Sequence, residues 1–121
     1  MASILLVDDS STMLTSMGQL ITDLGHSVTL AESGEAAMGK ISGGGSFDLM
    51  ITDFNMPGMN GAQLIAAARK TPKFRFAPIL VLTTETRAAK QQEAKQAGAT
   101  GWLTKPVQKA QLVAALGRVL N

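Results

Sequence analysis

Short apolar runs alternate with longer stretches of helical period five times along the chain. Ile4-Leu5-Leu6-Val7 is an unbroken apolar run, as expected of a strand buried on both faces. Met13, Leu14, Met17, Leu20, Ile21 and Leu24 then recur at helical spacing on one face, with Ser10 or Ser11 available as the N-cap and Gly25 as the stop. The same alternation predicts a strand over 27–31, a helix over 35–41 halted by Gly43-Gly44-Gly45, and a strand over 48–52. A Pro57-Gly58 turn leads to a helix over 62–70 carrying Leu64, Ile65 and Ala68. A strand over 79–82, a helix over 86–97, a strand over 101–104 and a helix over 108–120 with Leu112, Val113, Leu116 and Leu120 complete the series. Five βα units in succession predict an α/β fold, a parallel sheet covered by helices on both faces and wound right-handedly.

Four of these strands end in a polar residue: Asp8-Asp9 after the first, Asp53 after the third, Thr83 after the fourth and Lys105 after the fifth. The C-terminal ends of parallel strands share one edge of the sheet, where ligands bind. Three carboxylates, a hydroxyl and an ammonium are therefore expected to converge. Two carboxylates ~4 Å apart repel by about 4 kcal/mol at an effective dielectric near 20, so the acids call for a cation among them. Mg²⁺, which takes one or two carboxylates, several waters and phosphate oxygens, suits acids arriving from two strands. With charge so masked, one Asp can attack a phosphoryl group. Asp53 is the best candidate, because it stands alone on a central strand while Asp8 and Asp9 are paired. Thr83 can donate a hydrogen bond to one phosphoryl oxygen and Lys105 can neutralise another.

Composition narrows the setting. The 121 residues, 45% of them hydrophobic, suit one domain spanning 1–121 with no output domain. No cysteine is present, which excludes a disulfide framework or thiolate metal site. Neither a signal-peptide pattern nor an apolar run of about 20 residues occurs, so the expected location is cytoplasmic, with no membrane partner. The net charge of +2 conceals an asymmetry: residues 1–68 carry −6 and residues 69–121 carry +8. That basic half reads equally as a solvated surface or as a docking face.

Asp8-Asp9, the segment Asp53-Phe54-Asn55-Met56-Pro57-Gly58, Thr83 and Lys105-Pro106 together resemble the receiver domain of bacterial two-component response regulators, in particular the single-domain, CheY-like chemotaxis type. The resemblance spans essentially the whole chain, and its weight lies in the joint order of motifs that are individually weak. It implies a flavodoxin-like (βα)5 doubly wound sheet of strand order 2-1-3-4-5. It further implies that Asp53 is the phospho-acceptor, with Asp9 and Asp53 binding Mg²⁺ directly, Asp8 through water, and Asn55 through its backbone carbonyl. Thr83 and Lys105 would grip the phosphoryl group, and the peptide bond into Pro106 would be cis. Asn55 and Glu85 match positions that tune self-dephosphorylation, and their polar side chains predict a short-lived signal. Trp102 matches the switch position, where the family usually has Tyr or Phe. An inward swing of that larger ring and a fixed, partly exposed indole both remain open.

Partners follow from the resemblance. A sensor histidine kinase (CheA-like) would supply phosphate, a phosphatase would be a further partner, and a flagellar motor switch protein or acidic peptide would dock on the face of the fourth helix, fifth strand and fifth helix. That face carries Arg87, Lys90, Lys95, Trp102 and Lys109. A phosphorelay intermediate or phosphate sink has the same chemistry without an effector. An aspartyl-phosphate phosphohydrolase is disfavoured, since such enzymes want an Asp two residues after the nucleophile, where Asn55 stands. Nucleic acid is disfavoured too, there being no helix-turn-helix or basic tail.

The remaining features read as structure. His26 is expected in a solvated turn, and Gly43-Gly44-Gly45 lacks the Lys-Ser/Thr of a P-loop. Pro72, Lys73, Arg75 and Pro78 mark a basic loop with no assigned role. The helix over 86–97 has only alanines as apolar residues, so it is expected to be the most loosely anchored element, either as a moving part or as a closely packed one.

Overall fold

The computed structural model describes residues 2–84 and 88–120, except for the side chains of residues 88–91 and 94. Its elements run β1 (Ser3–Val7), α1 (Ser11–Asp23), β2 (Ser27–Ala31), α2 (Gly34–Ser42), β3 (Leu49–Asp53), α3 (Gly61–Arg69), β4 (Ile79–Thr83), α4 (Ala88–Ala97), β5 (Gly101–Thr104) and α5 (Lys109–Val119). The five strands are all parallel in the order β2-β1-β3-β4-β5, as the resemblance implies.

The central strands are buried on both faces, and their residues divide between two cores by parity. Leu5, Val7, Met50, Ile79 and Val81 meet Ala37 and Ile41 of α2 and Leu64, Ile65 and Ala68 of α3. Ile4, Leu6, Leu49, Ile51, Leu80 and Leu82 meet Leu14, Met17 and Ile21 of α1 and Leu112, Ala115 and Leu116 of α5. The unbroken apolar runs are thus two interleaved alternations, one for each layer of helices.

Local signals set the helix starts. Ser10 caps α1 through its side chain, which accepts from the Met13 amide, and Ser33 caps α2 by accepting from Ala36. Asn60 and Gln63 form a reciprocal capping box on α3. The helix therefore starts at Gly61, one residue earlier than expected. The third strand lies one residue later than the expected 48–52 and starts with its apolar run at Leu49, Asp48 being exposed with its carboxylate accepting from the Ser3 amide at 2.8 Å. This shift makes Asp53 the last residue of β3.

His26 differs from its expectation. It is half-buried, and its Nδ1 accepts from the Ala2 amide at 3.0 Å, tying the start of β1 to the α1–β2 turn. Helix α4 packs against α3, and Ala97 lies against the core. Its C-terminal end has a fastening that the sequence does not suggest. Arg69 Nη2 donates to the Gly98 carbonyl at 2.7 Å and Nε to the same oxygen at 3.1 Å, while Nη1 donates to the carbonyls of Phe74, at 2.9 Å, and Ala77. Burial lowers the Arg69 pKa, yet the guanidinium stays charged.

Candidate functional site

Strand register brings the predicted residues to one edge. Val7 is level with Thr52 across the β1–β3 pair, so Asp8, one step beyond β1, comes beside Asp53. Thr83 is level with Thr104, which places Lys105 one step beyond the end of β5. Backbone bonds hold these chain ends: the Asp8 amide donates to the Ala31 carbonyl at 3.1 Å, Phe54 to Leu82 at 2.9 Å, and Lys105 to Thr83 at 2.8 Å.

Asp8, Asp9 and Asp53 each offer a carboxylate oxygen, and the three atoms lie within 4.8 Å of one another. Asp8, Asp53 and Thr83 are buried, whereas Asp9 is exposed. One cation reaches two of the acids: Lys105 Nζ lies 3.0 Å from Asp53 Oδ1 and 3.2 Å from Asp8 Oδ2. The other Asp8 oxygen, Oδ1, accepts from the Ser10 amide at 2.9 Å, which fixes the carboxylate at the mouth of α1.

Three carboxylates balanced by one ammonium leave a site two charges negative. Burial pushes the Asp53 carboxyl above the ordinary aspartate value, with the hydrogen bond from Lys105 opposing and the charges of Asp8 and Asp9 adding to the rise. Lys105 moves up as well. Its own burial lowers its pKa, but the hydrogen bond and charge of Asp53, followed by those of Asp8, outweigh that effect. A half-buried acid cluster of this net charge has the oxygen donor set and electrostatic demand of a hard divalent cation.

The β3–α3 loop frames the site. Phe54 and Met56 are buried in the core while Asn55 between them is exposed, so this alternation holds the loop down and leaves Asn55 at the surface. Gly61 was missed by sequence reasoning. A Cβ there would stand 2.8 Å from both the Asp53 carbonyl oxygen and Phe54 Cα, so only glycine lets α3 start against the end of β3. The signal was present as an Asn-Gly pair ahead of an apolar helix, but a turn pair does not disclose what its backbone touches.

Among the other predicted residues, Trp102 on β5 is 39% exposed, and the Lys105-Pro106 peptide is cis. Glu85 and Arg87 lie outside the described residues, as does the side chain of Lys90. On the proposed partner face, Lys95, Lys109 and Trp102 are all exposed.

Comparison with known proteins agrees with this geometry. The family model described as the response regulator receiver domain matches residues 4–117. A chemotaxis protein CheY of Pseudomonas aeruginosa is 40% identical over 104 residues, which cover 85% of this chain and 83% of the relative. The structure of the Vibrio cholerae chemotaxis protein CheY4 superposes with a TM-score of 0.94 at 42% identity, covering 98% of each chain. The receiver domain of a Pseudomonas aeruginosa sensor histidine kinase, solved with a magnesium ion coordinated in its active-site cleft, gives a TM-score of 0.89 at 28% identity over 98% of this chain and 97% of that one. By its matched length, its motif order and the geometry of its strand ends, the chain belongs to the response regulator receiver domain family.

Proposed function

We propose that the protein is a cytoplasmic, single-domain response regulator of chemotaxis, phosphorylated on Asp53 by a histidine kinase in a Mg²⁺-dependent reaction. The observation that carries this reading is the convergence of Asp8, Asp9 and Asp53 within 4.8 Å, with Lys105 bridging two of them. The CheY relatives support the pathway, and the magnesium ion in the related receiver cleft supports the metal.

Asp8, Asp9, Asp53 and the Asn55 carbonyl would hold Mg²⁺, which when bound offsets the negative charge of acceptor and phosphoryl group together. An Asp53 carboxylate oxygen attacks the phosphorus of a phosphohistidine. The P–N bond breaks, and the imidazole leaves with its electron pair. Lys105 neutralises a phosphoryl oxygen, and Thr83 donates to another. An acyl phosphate on Asp53 draws these two groups inward, and the shift reaches Trp102 and the α4–β5–α5 face, where a flagellar switch component or acidic peptide docks. Asn55 and Glu85 orient the water that ends the signal, and a phosphatase speeds its loss. The protein promotes its own phosphorylation and dephosphorylation but is not a turnover enzyme, since the position two after the acceptor holds Asn55 rather than an acid.

Incubation with an autophosphorylated chemotaxis kinase tests the reading. Label should pass to the wild type and then be lost as free phosphate, and the labelled protein should bind flagellar switch peptide more tightly than the unlabelled one. Onward transfer of label to a histidine phosphotransfer domain, with no gain in switch binding, would instead assign a relay or sink.

A further inference from the structure

We propose that the loop joining α3 to β4 is a second docking element, which inserts Phe76 into an apolar pocket rimmed by carboxylates on a partner protein. Phe76 is 88% exposed, more than any other large hydrophobic side chain among the described residues. A lone exposed apolar side chain is ordinary, so the weight rests on how this one is held.

Two residues earlier, Phe74 is fully buried and its ring stacks on Phe47 with centroids 6.2 Å apart. Arg69 donates to the carbonyls of Phe74 and Ala77, which flank Phe76 closely. Lys73 Nζ donates to the Ile41 carbonyl at 3.1 Å, and Thr71 Oγ1 to that of Ala68 at 2.6 Å. Pro72 and Pro78 fix the backbone at either end of the loop. Four tethers thus hold a short segment whose central aromatic ring faces water. The backbone that carries the ring is already ordered, so only the side chain's own rotation is lost on binding.

The chemistry around the ring selects the partner. Arg75 precedes it in the chain and is exposed, Lys70 at the head of the loop is exposed as well, and no Asp or Glu occurs anywhere from residue 54 to residue 84. Complementarity therefore asks for acidic groups around an apolar hollow. A lipid surface fits less well, because one ring and two exposed cations at about 1 kcal/mol each fall short of stable anchoring. Nucleic acid would need several phosphate contacts and further stacking rings. Aromatic and arginine side chains are the usual anchors of protein interfaces, and this loop offers one of each.

The loop enters β4 at the edge of the sheet opposite the carboxylates, roughly 16 Å away for a five-residue strand. A partner seated there leaves Asp53 accessible. The inference does not rest on phosphoryl chemistry.

The test places the photoreactive analogue p-benzoylphenylalanine at position 76 of the full chain in its source cells, identifies the adduct by mass spectrometry, and purifies the captured protein. Its affinity is then measured for wild type, Phe76→Ser, Arg75→Glu and Asp53→Asn. The expected result is one acidic partner, bound at least about 30-fold more weakly by Phe76→Ser and more weakly by Arg75→Glu, with Asp53→Asn retaining wild-type affinity. The urea-unfolding midpoint and slope of Phe76→Ser should match those of the wild type, showing an intact fold. The proposal is overturned if no adduct forms, if the adduct is a second copy of this chain, or if Phe76→Ser binds the partner within about twofold of wild type. Co-sedimentation of wild type but not Phe76→Ser with phosphatidylglycerol vesicles would overturn it in favour of a membrane.

Discussion

Replacing Asp53 with Asn should separate two effects that the wild-type site combines, the cost of crowded charge and the gain from a bound cation. With carboxylate oxygens within 4.8 Å, each pair repels by about 3.5 kcal/mol at an effective dielectric near 20. Lys105 offsets only part of this, and burial of Asp53 adds to it. The folded pKa of Asp53 lies above its unfolded value of 3.8, so the native state binds this proton more tightly than the unfolded chain does. Ionised Asp53 therefore lowers stability above its folded pKa, and the penalty is relieved as pH falls through that pKa toward 3.8. Without metal at neutral pH, Asp53→Asn should be at least as stable as wild type, and its advantage should vanish in acid. Mg²⁺ acts in the opposite direction, favouring the wild type. At a concentration 100-fold above Kd it stabilises the wild type by about 2.7 kcal/mol, which at about 2.1 cal/mol/K per residue raises Tm by roughly 10 °C. A variant that binds at least about tenfold more weakly gains under about 1.5 kcal/mol, or roughly 6 °C. Thermal and urea unfolding in EDTA and in Mg²⁺ provide the assay. Equal Mg²⁺ shifts for both proteins, or a metal-free variant clearly weaker than wild type, would refute the electrostatic reasoning.

Three further substitutions probe the frame. Lys105→Met should cost the metal-free protein about 1–3 kcal/mol at neutral pH while tightening Mg²⁺ about tenfold, because a cation that shares the acids is gone; isothermal titration reads the second effect. The raised Lys105 pKa means that its stabilisation is complete below the unfolded value of 10.5 and is lost as pH rises through the folded value, so wild type and variant should converge only in strong alkali. Arg69→Met leaves the carbonyls of Gly98, Phe74 and Ala77 without their donor and should cost about 2–4 kcal/mol in urea unfolding, with hydrogen exchange accelerated most near the end of α4. Gly61→Ala drives a methyl group against the Asp53 carbonyl and should cost about 1–3 kcal/mol and weaken Mg²⁺ binding; unchanged stability would show that the α3 start yields freely.

The fold was legible because its three central strands are buried on both faces and four of its five helices carry an apolar face of larger side chains. Those two periods differ enough to place the bounds of the elements within two residues, the expected start of the helix over 86–97 lying outside the described residues. The acid cluster was legible for a topological reason, since residues far apart in sequence must meet once their strands are parallel and adjacent. The supports of the site were not. Arg69 sits in the last turn of a helix, where a basic residue is expected on helix-dipole grounds alone, and nothing in its neighbours announces acceptors nearly 30 positions away. Likewise Phe74 and Phe76 share one loop and one residue type, yet only a folded chain reveals that Phe74 stacks on Phe47 while Phe76 faces solvent. Gly98 adds a further instance: its φ of +115° and its close approach to Arg69 belong to the α4–β5 turn, whereas the sequence shows only a glycine after a helix.

Phosphoryl transfer to Asp53 is the central claim, and mass analysis after incubation with acetyl phosphate tests it most directly. In the presence of Mg²⁺ the wild type should gain a single alkali-labile phosphoryl group, mapped by borohydride reduction to Asp53, and EDTA or Asp53→Asn should abolish it. A phosphoryl group that persists in Asp53→Asn, or that forms equally well in EDTA, would contradict the account.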